Sequence, residues 1–168
     1  MNKKTRNMVR AALIAALYVV LTNIQNLILP GSATWAIQCR LSEAMCILAF
    51  FTPAAIPGLS IGCLIFNLNY AAALPVDWIL GTLATFLSAV SMRAMRRVQV
   101  GTLPLAGLCM PAFWNALLVG AELTYYFGGG FLLNAAYVAL GELIVLLIFG
   151  TGLYYVMKRR NLDRRLFN

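Results

Sequence analysis

The sequence predicts an all-α membrane protein, a single domain (1–168) of six transmembrane helices with both termini cytoplasmic. Three observations lead there. The chain is 62% hydrophobic and only 11% charged, with a mean hydropathy of +0.83, which excludes a soluble domain. Its 168 residues accommodate about six crossings of roughly 20 residues joined by short loops. All but one of the lysines and arginines lie in three polar clusters between or beyond apolar runs, with Arg40 the exception. The net charge of +8 is therefore topological and gives no reason to expect nucleic acid.

The first helix is expected over 8–29, behind Lys3, Lys4, Arg6 and Arg10. Its apolar stretch exceeds the roughly 7 to 15 residues of a secretory signal, and no A-x-A-like cleavage site follows closely, so it is kept as a helix. Ala11 with Ala15, and Ala12 with Ala16, place small residues one turn apart, a pattern that lets another helix approach closely.

The second helix, 37–52, carries Gln38, Arg40 and Glu43 just below the loop from Gly31 to Ala36. Arg40 and Glu43 are three residues apart and can meet on one helix face. A structural ion pair and ligand contact are both open for them. The turn FTPAAIPG (51–58) has no basic residue to mark it cytoplasmic, so a re-entrant loop is the alternative to a hairpin. The hairpin is preferred, because a re-entrant loop would put the first two basic clusters on opposite sides.

The third helix, 54–73, contains Gly58-Leu59-Ser60-Ile61-Gly62, which fits G-x-S-x-G. The chain has no histidine and the context is helical, whereas GxxxG packing explains both glycines. Asn67 and Asn69 lie near the outer end of this helix. The fourth, 76–92, starts with Asp77 and Trp78 and stops at Arg93, Arg96 and Arg97. On the fifth, 104–127, Trp114 is read as a packing residue, and Asn115 and Glu122 share a face because seven residues make nearly two turns. The sixth, 131–157, passes Asn134 and Glu142 before Lys158, Arg159, Arg160, Arg164 and Arg165. With the N-terminus inside, the middle cluster follows four crossings and the last follows six, so all three are cytoplasmic.

On this topology Glu43, Asp77, Glu122 and Glu142 all fall in the outer halves of their crossings. A carboxylate near the bilayer centre costs about 2.5 to 3.5 kcal/mol on the insertion scale, so one-sided placement points to a site that receives something from outside. Glu122, Glu142 and Asn115 are expected to form a deep recognition set. Asp77, Gln38, Arg40, Glu43 and Asn67 surround the mouth, with Trp78 offering an aromatic face there or simply belonging to an interfacial belt. No G-x-x-x-x-G-K-[ST], HExxH or EF-hand pattern occurs, so ATP-driven work falls to a partner, and no metal, cofactor or catalytic residue is expected. Cys39, Cys46, Cys63 and Cys109 form no CxxC and read as small packing residues.

The runs IQCRLSEAM (37–45), FFTPAAIPGLSIGCLIFN (50–67) and DWILGTLATFLSA (77–89), with AALIAALYVVLT (11–22) and FWNALLVG (113–120), resemble the queuosine-precursor transporter family of QueT type. Members are substrate-binding S components of energy-coupling factor (ECF) transporters. The run around Arg40 and Glu43 is the most specific part, and Cys39 departs from a bulkier apolar or aromatic residue expected there. The resemblance implies a multi-pass subunit of the cell membrane with an ECF S-component-like bundle. It captures a 7-deazaguanine, in particular the aminomethyl form preQ1, at an outward-opening site. The implied partners are a transmembrane coupling protein, which meets the alanine pattern at Ala11, Ala12, Ala15 and Ala16, and two cytoplasmic ATPases. The competing readings are an S component for another vitamin-like cargo, a small intramembrane enzyme using Glu and Arg as acid and base, and a scaffold subunit. The lack of histidine and of a supported nucleophile disfavours the enzyme.

Overall fold

A computed structural model describes residues 2–32, 40–70, 76–162 and 166. The described chain is helical apart from short turns and a single β-bridge between Val100 and Leu103. We number the helices α1 (Lys3–Ile28), α2 (Leu41–Phe51), α3 (Ala55–Asn69), α4 (Asp77–Met95), α5 (Leu105–Phe127) and α6 (Phe131–Arg159). Four of them, α1, α4, α5 and α6, are long and apolar enough to cross a membrane, whereas α2 and α3 are shorter apolar helices. At about 1.5 Å per residue, the 15 residues of α3 cover roughly 22 Å, less than a hydrocarbon core of about 30 Å. The expected second and third helices (37–52 and 54–73) are thus described over narrower ranges, and 37–39 and 71–75 lie outside the described residues.

Two helices depart from α geometry where they meet. In α2, Leu41–Ile47 is wound as a 3-10 helix before Leu48–Phe51 turns α-helical. In α6, a π-helical turn at Leu146–Gly150 interrupts Phe131–Val145 and Thr151–Arg159. Gly150 lies so close to α2 that a Cβ there would sit 3.2 Å from Ile47 Cδ1.

The main core is built from α1, α2, α3, α4 and the facing ends of α5 and α6, with Tyr18, Ile47, Leu59, Met92, Leu108 and Leu146 fully buried. The buried residues of α1 are Ile14, Ala15, Tyr18, Thr22 and Gln25, a stripe spaced by three and four that faces α3 and α2. Close approach is enforced by glycine. A Cβ on Gly58 would lie 2.7 Å from Ala11 O, and one on Gly62 would lie 2.8 Å from Tyr18 Cβ. The GxSxG segment is therefore a helix-packing surface, and Ser60 Oγ donates to Ile56 O one turn back at 2.9 Å. A second small core, Val119, Leu123 and Val138, joins α5 to α6, where a Cβ on Gly120 would approach Ala135 Cα to 2.9 Å.

The basic clusters converge on one end of the bundle. Arg93 Nη1 donates to Phe50 O at 3.1 Å and to Ala49 O at 3.4 Å, supplying the exposed carbonyls at the C-terminus of α2 with a cationic donor. Lys158 lies over the Phe51 ring at 5.6 Å, and Lys4 shares a surface cleft with Pro53 and Pro57 of the α2–α3 turn. The N-terminal, middle and C-terminal clusters thus surround the same turn. This arrangement agrees with a hairpin at 52–54, with α2 and α4 running side by side from the opposite end.

Candidate functional site: a buried polar layer

Away from the basic end, α1 to α6 enclose a layer of buried polar side chains. Glu43, fully buried on the 3-10 turn of α2, is the most heavily bonded of them. Its Oε1 accepts from Tyr18 OH at 2.6 Å and from Thr85 Oγ1 at 3.0 Å, while Oε2 accepts from Cys46 Sγ at 3.1 Å. One carboxylate therefore fastens α1, α2 and α4 together.

Arg40 is 1% exposed, and its Nη1 lies 3.8 Å from Cys63 Sγ. Its charge is felt by Asp77, Glu43, Glu122 and Glu142, so the four acidic residues share one cationic neighbour among the described residues. Asn67 Nδ2 donates to Asp77 O at 3.0 Å and contacts Cys63 Sγ at 3.6 Å. Asp77 occupies the first turn of α4, where the helix dipole favours a carboxylate. Gly81, one turn further on, lets these groups close over the backbone. A Cβ there would sit 3.0 Å from Asn67 Nδ2, 3.6 Å from Asp77 Oδ1 and 3.8 Å from Arg40 Nη1.

Glu122 and Glu142 are different. Both are buried, and no nitrogen or hydroxyl donor of the described residues reaches any of their carboxyl oxygens, although the Glu122 carboxyl lies close enough to that of Asp77 to share a proton with it. Glu122 adjoins Asp77, and Glu142 adjoins Glu43, each within the field of Arg40. Asn67 Oδ1 and Ser42 Oγ are likewise buried and unpartnered among the described residues. Burying polar atoms in this way costs free energy unless something supplies the missing bonds.

The remaining residues singled out in the sequence divide. Asn115 is buried, but its Nδ2 donates to Pro111 O on its own helix at 3.1 Å. Trp78 is 43% exposed on the outer surface of α4, so it stands apart from the buried layer, as an interfacial aromatic does. Gln38 lies outside the described residues, as does most of the loop from Gly31 to Ala36. Ala15 is buried, and the Ala11 and Ala15 backbone carbonyls pack against Gly58 and Gly62 of the chain's own α3, whereas Ala12 and Ala16 stay exposed. Of the four alanines expected at a partner surface, Ala11 and Ala15 therefore face the chain's own α3, and Ala12 and Ala16 face outward.

Sequence reading missed Tyr18, Thr85, Cys46, Cys63 and Gly81 as members of this layer. Cys46 and Cys63, expected only to fill space, contact Glu43, Arg40 and Asn67 through sulfur. A signal for Tyr18 was present, because Tyr18, Thr22 and Gln25 lie on one face of an otherwise apolar helix. Gln25 completes that face, donating to Ser32 Oγ and accepting from Leu41 N, both at 2.8 Å, and so ties the end of α1 to the start of α2.

A family model described as QueT transporter matches residues 8–159 of the chain. The chain is also 30% identical over 178 residues to the "Queuosine precursor transporter QueT" of Lactococcus lactis subsp. cremoris (strain MG1363), covering 96% of this chain and 98% of that protein. No solved structure matches.

Proposed function

We propose, on the premise that this chain belongs to the QueT transporter family, that it is the substrate-specific membrane subunit of an ECF-type importer, capturing a 7-deazaguanine queuosine precursor from outside the cell. The observation that carries the reading is the pair Glu122 and Glu142, buried with no nitrogen or hydroxyl donor of the described residues on any of their four carboxyl oxygens. An aminomethyl-7-deazaguanine supplies what such a site lacks, a cationic ammonium together with several ring N–H donors. One carboxylate pairs with the ammonium and the other accepts from the guanine-like edge. Asn67 Oδ1 adds an acceptor beside Asp77. Four carboxylates against Arg40 leave the layer acidic, which favours the aminomethyl cation over a neutral base.

The same reading places the basic end in the cytoplasm. ATP hydrolysis belongs to two partner ATPases, since the chain has no phosphate-binding motif. The coupling protein then approaches the exposed Ala12 and Ala16 side of α1, where small residues allow close helix contact.

Thermal unfolding of the purified protein with a ligand panel tests the assignment. The aminomethyl base is expected to stabilise selectively, by about 2.7 kcal/mol at a hundredfold excess over Kd, with guanine, thiamine and riboflavin inert. Selective stabilisation by a vitamin would transfer the site to another cargo. Full uptake by vesicles containing this chain alone would overturn the partner-driven mechanism.

A further inference from the structure

The basic end holds a second feature that the capture of a cargo does not use. Two clefts lie side by side there and share Arg96 and Arg97. One, of about 230 Å³, is bounded by Phe50, Phe51, Tyr154 and Lys158, and the other, of about 670 Å³, extends to Arg93. No described acidic side chain lines either cleft.

The loop beside them is built rather than slack. Val100 N donates to Leu103 O at 2.9 Å, Gly101 takes the turn with φ +67, and Thr102 Oγ1 meets Tyr155 OH of α6 at 3.1 Å. This fixed turn leaves Val98 56% and Val100 66% exposed directly after the arginine pair. Exposed apolar side chains following a pair of cations at the end of a membrane helix suit the zone where acyl chains give way to phosphates. Basic pockets between transmembrane helices on the cytoplasmic side are suited to anionic head groups.

We infer that the clefts around Arg96 and Arg97 bind the phosphate of an anionic phospholipid, with Val98 and Val100 resting against its acyl region. The shared chemistry is a phosphate oxyanion among cationic donors, and the apolar flank selects a lipid over a free ion. The inference rests on membrane embedding and is independent of the cargo.

The test is thermal unfolding of the full chain in neutral detergent, titrated separately with phosphatidylglycerol, phosphatidylcholine and inorganic phosphate. Phosphatidylglycerol alone is expected to stabilise the wild type. Arg96→Gln with Arg97→Gln should weaken its apparent affinity about thirty-fold, at roughly tenfold per 1.4 kcal/mol and about 1 kcal/mol per basic residue near a surface. Lys3→Gln with Lys4→Gln, which removes equal charge elsewhere at the same end, should change it little. The charge-keeping pair Arg96→Lys with Arg97→Lys should retain the response, which keeps the test decisive if the glutamine variant fails to fold. An equal response to phosphatidylcholine, an equal response to inorganic phosphate, or an equal loss in the Lys3 and Lys4 variant would each overturn the inference.

Discussion

The polar layer contains two kinds of buried carboxylate that look alike in sequence. Glu43 receives three donors from Tyr18, Thr85 and Cys46. Glu122 and Glu142, buried to a similar degree on the facing helices α5 and α6, receive no nitrogen or hydroxyl donor from the described residues, and Glu122 has only the carboxyl of Asp77 beside it. The difference teaches that burial alone does not mark a binding residue. A carboxylate whose bonds are made within the chain works as a fastener, and one whose bonds are missing is available to a ligand. Glu43, expected at the mouth of the site, therefore has a structural task whatever it also contributes to recognition.

The largest effect should come from breaking the fastener. Glu43→Ala strands the hydroxyls of Tyr18 and Thr85 and leaves Arg40 with one neutralising neighbour fewer. Each buried donor left unsatisfied costs about 1 to 3 kcal/mol, so a loss of about 3 kcal/mol or more is expected. Thermal unfolding in detergent, without ligand, measures it. A loss below about 1 kcal/mol would show that the three bonds do not hold the helices.

A smaller loss is expected when the same fastener is disturbed indirectly. In Gly62→Ala the new methyl would meet Tyr18 Cβ at 2.8 Å and Ala15 O at 3.0 Å. The backbone carbonyl cannot rotate away, so α1 and α3 must separate and Tyr18 must shift from Glu43. Overpacking of this kind costs about 1 to 3 kcal/mol. Tyr18→Phe, which removes the hydroxyl without adding volume, separates the two causes. Unchanged stability in Gly62→Ala would mean that the two helices yield more readily than the contact distances imply.

The opposite outcome is expected on the other side of the comparison. Glu122→Gln and Glu142→Gln keep the shape of side chains that the fold itself supplies with no nitrogen or hydroxyl donor, so ligand-free stability should hold within about 1 kcal/mol or rise. Binding of the aminomethyl base should weaken by about tenfold or more in each, because hydrogen bonds to charged groups contribute about 1.5 to 3 kcal/mol. Titration of the base against both variants and the wild type reads this. Unchanged affinity in both would remove the deep site, and a large loss of ligand-free stability would make these residues fasteners after all.

These contrasts show where sequence is legible and where it stops. Apolar run length and the spacing of charges locate the six helical segments and place Arg40, Glu43, Asn67, Asp77, Glu122 and Glu142 among buried polar residues, because a charge in an apolar run has few places to go. Pairing across the fold is another matter. Tyr18 and Thr85 lie 25 and 42 residues from Glu43, and no local pattern announces that they meet it. The 3-10 winding of Leu41–Ile47 is equally silent, since Ser42 through Ile47 are all buried and a segment enclosed on every side shows no amphipathic stripe. Ala11 and Ala15 were visible as small residues, but only the facing glycines of α3 reveal that their side is already occupied.

The smallest effect belongs to the residue whose motif points most directly to chemistry. Ser60 stands at the centre of G-x-S-x-G, yet its hydroxyl bonds Ile56 O within α3 at 2.9 Å, as serine does when it returns to the preceding turn. The glycines on either side are tied to α1 by close approach, and that constraint would persist with any small residue between them. Ser60→Ala should therefore leave stability within about 0.5 kcal/mol and leave affinity for the aminomethyl base unchanged, measured beside Gly62→Ala as the packing control. Loss of binding in Ser60→Ala at unchanged stability would give this hydroxyl a part in recognition and extend the site along α3 from Asn67 and Cys63 to Ser60. The expected silence confines recognition to groups whose hydrogen bonds the fold leaves unmade.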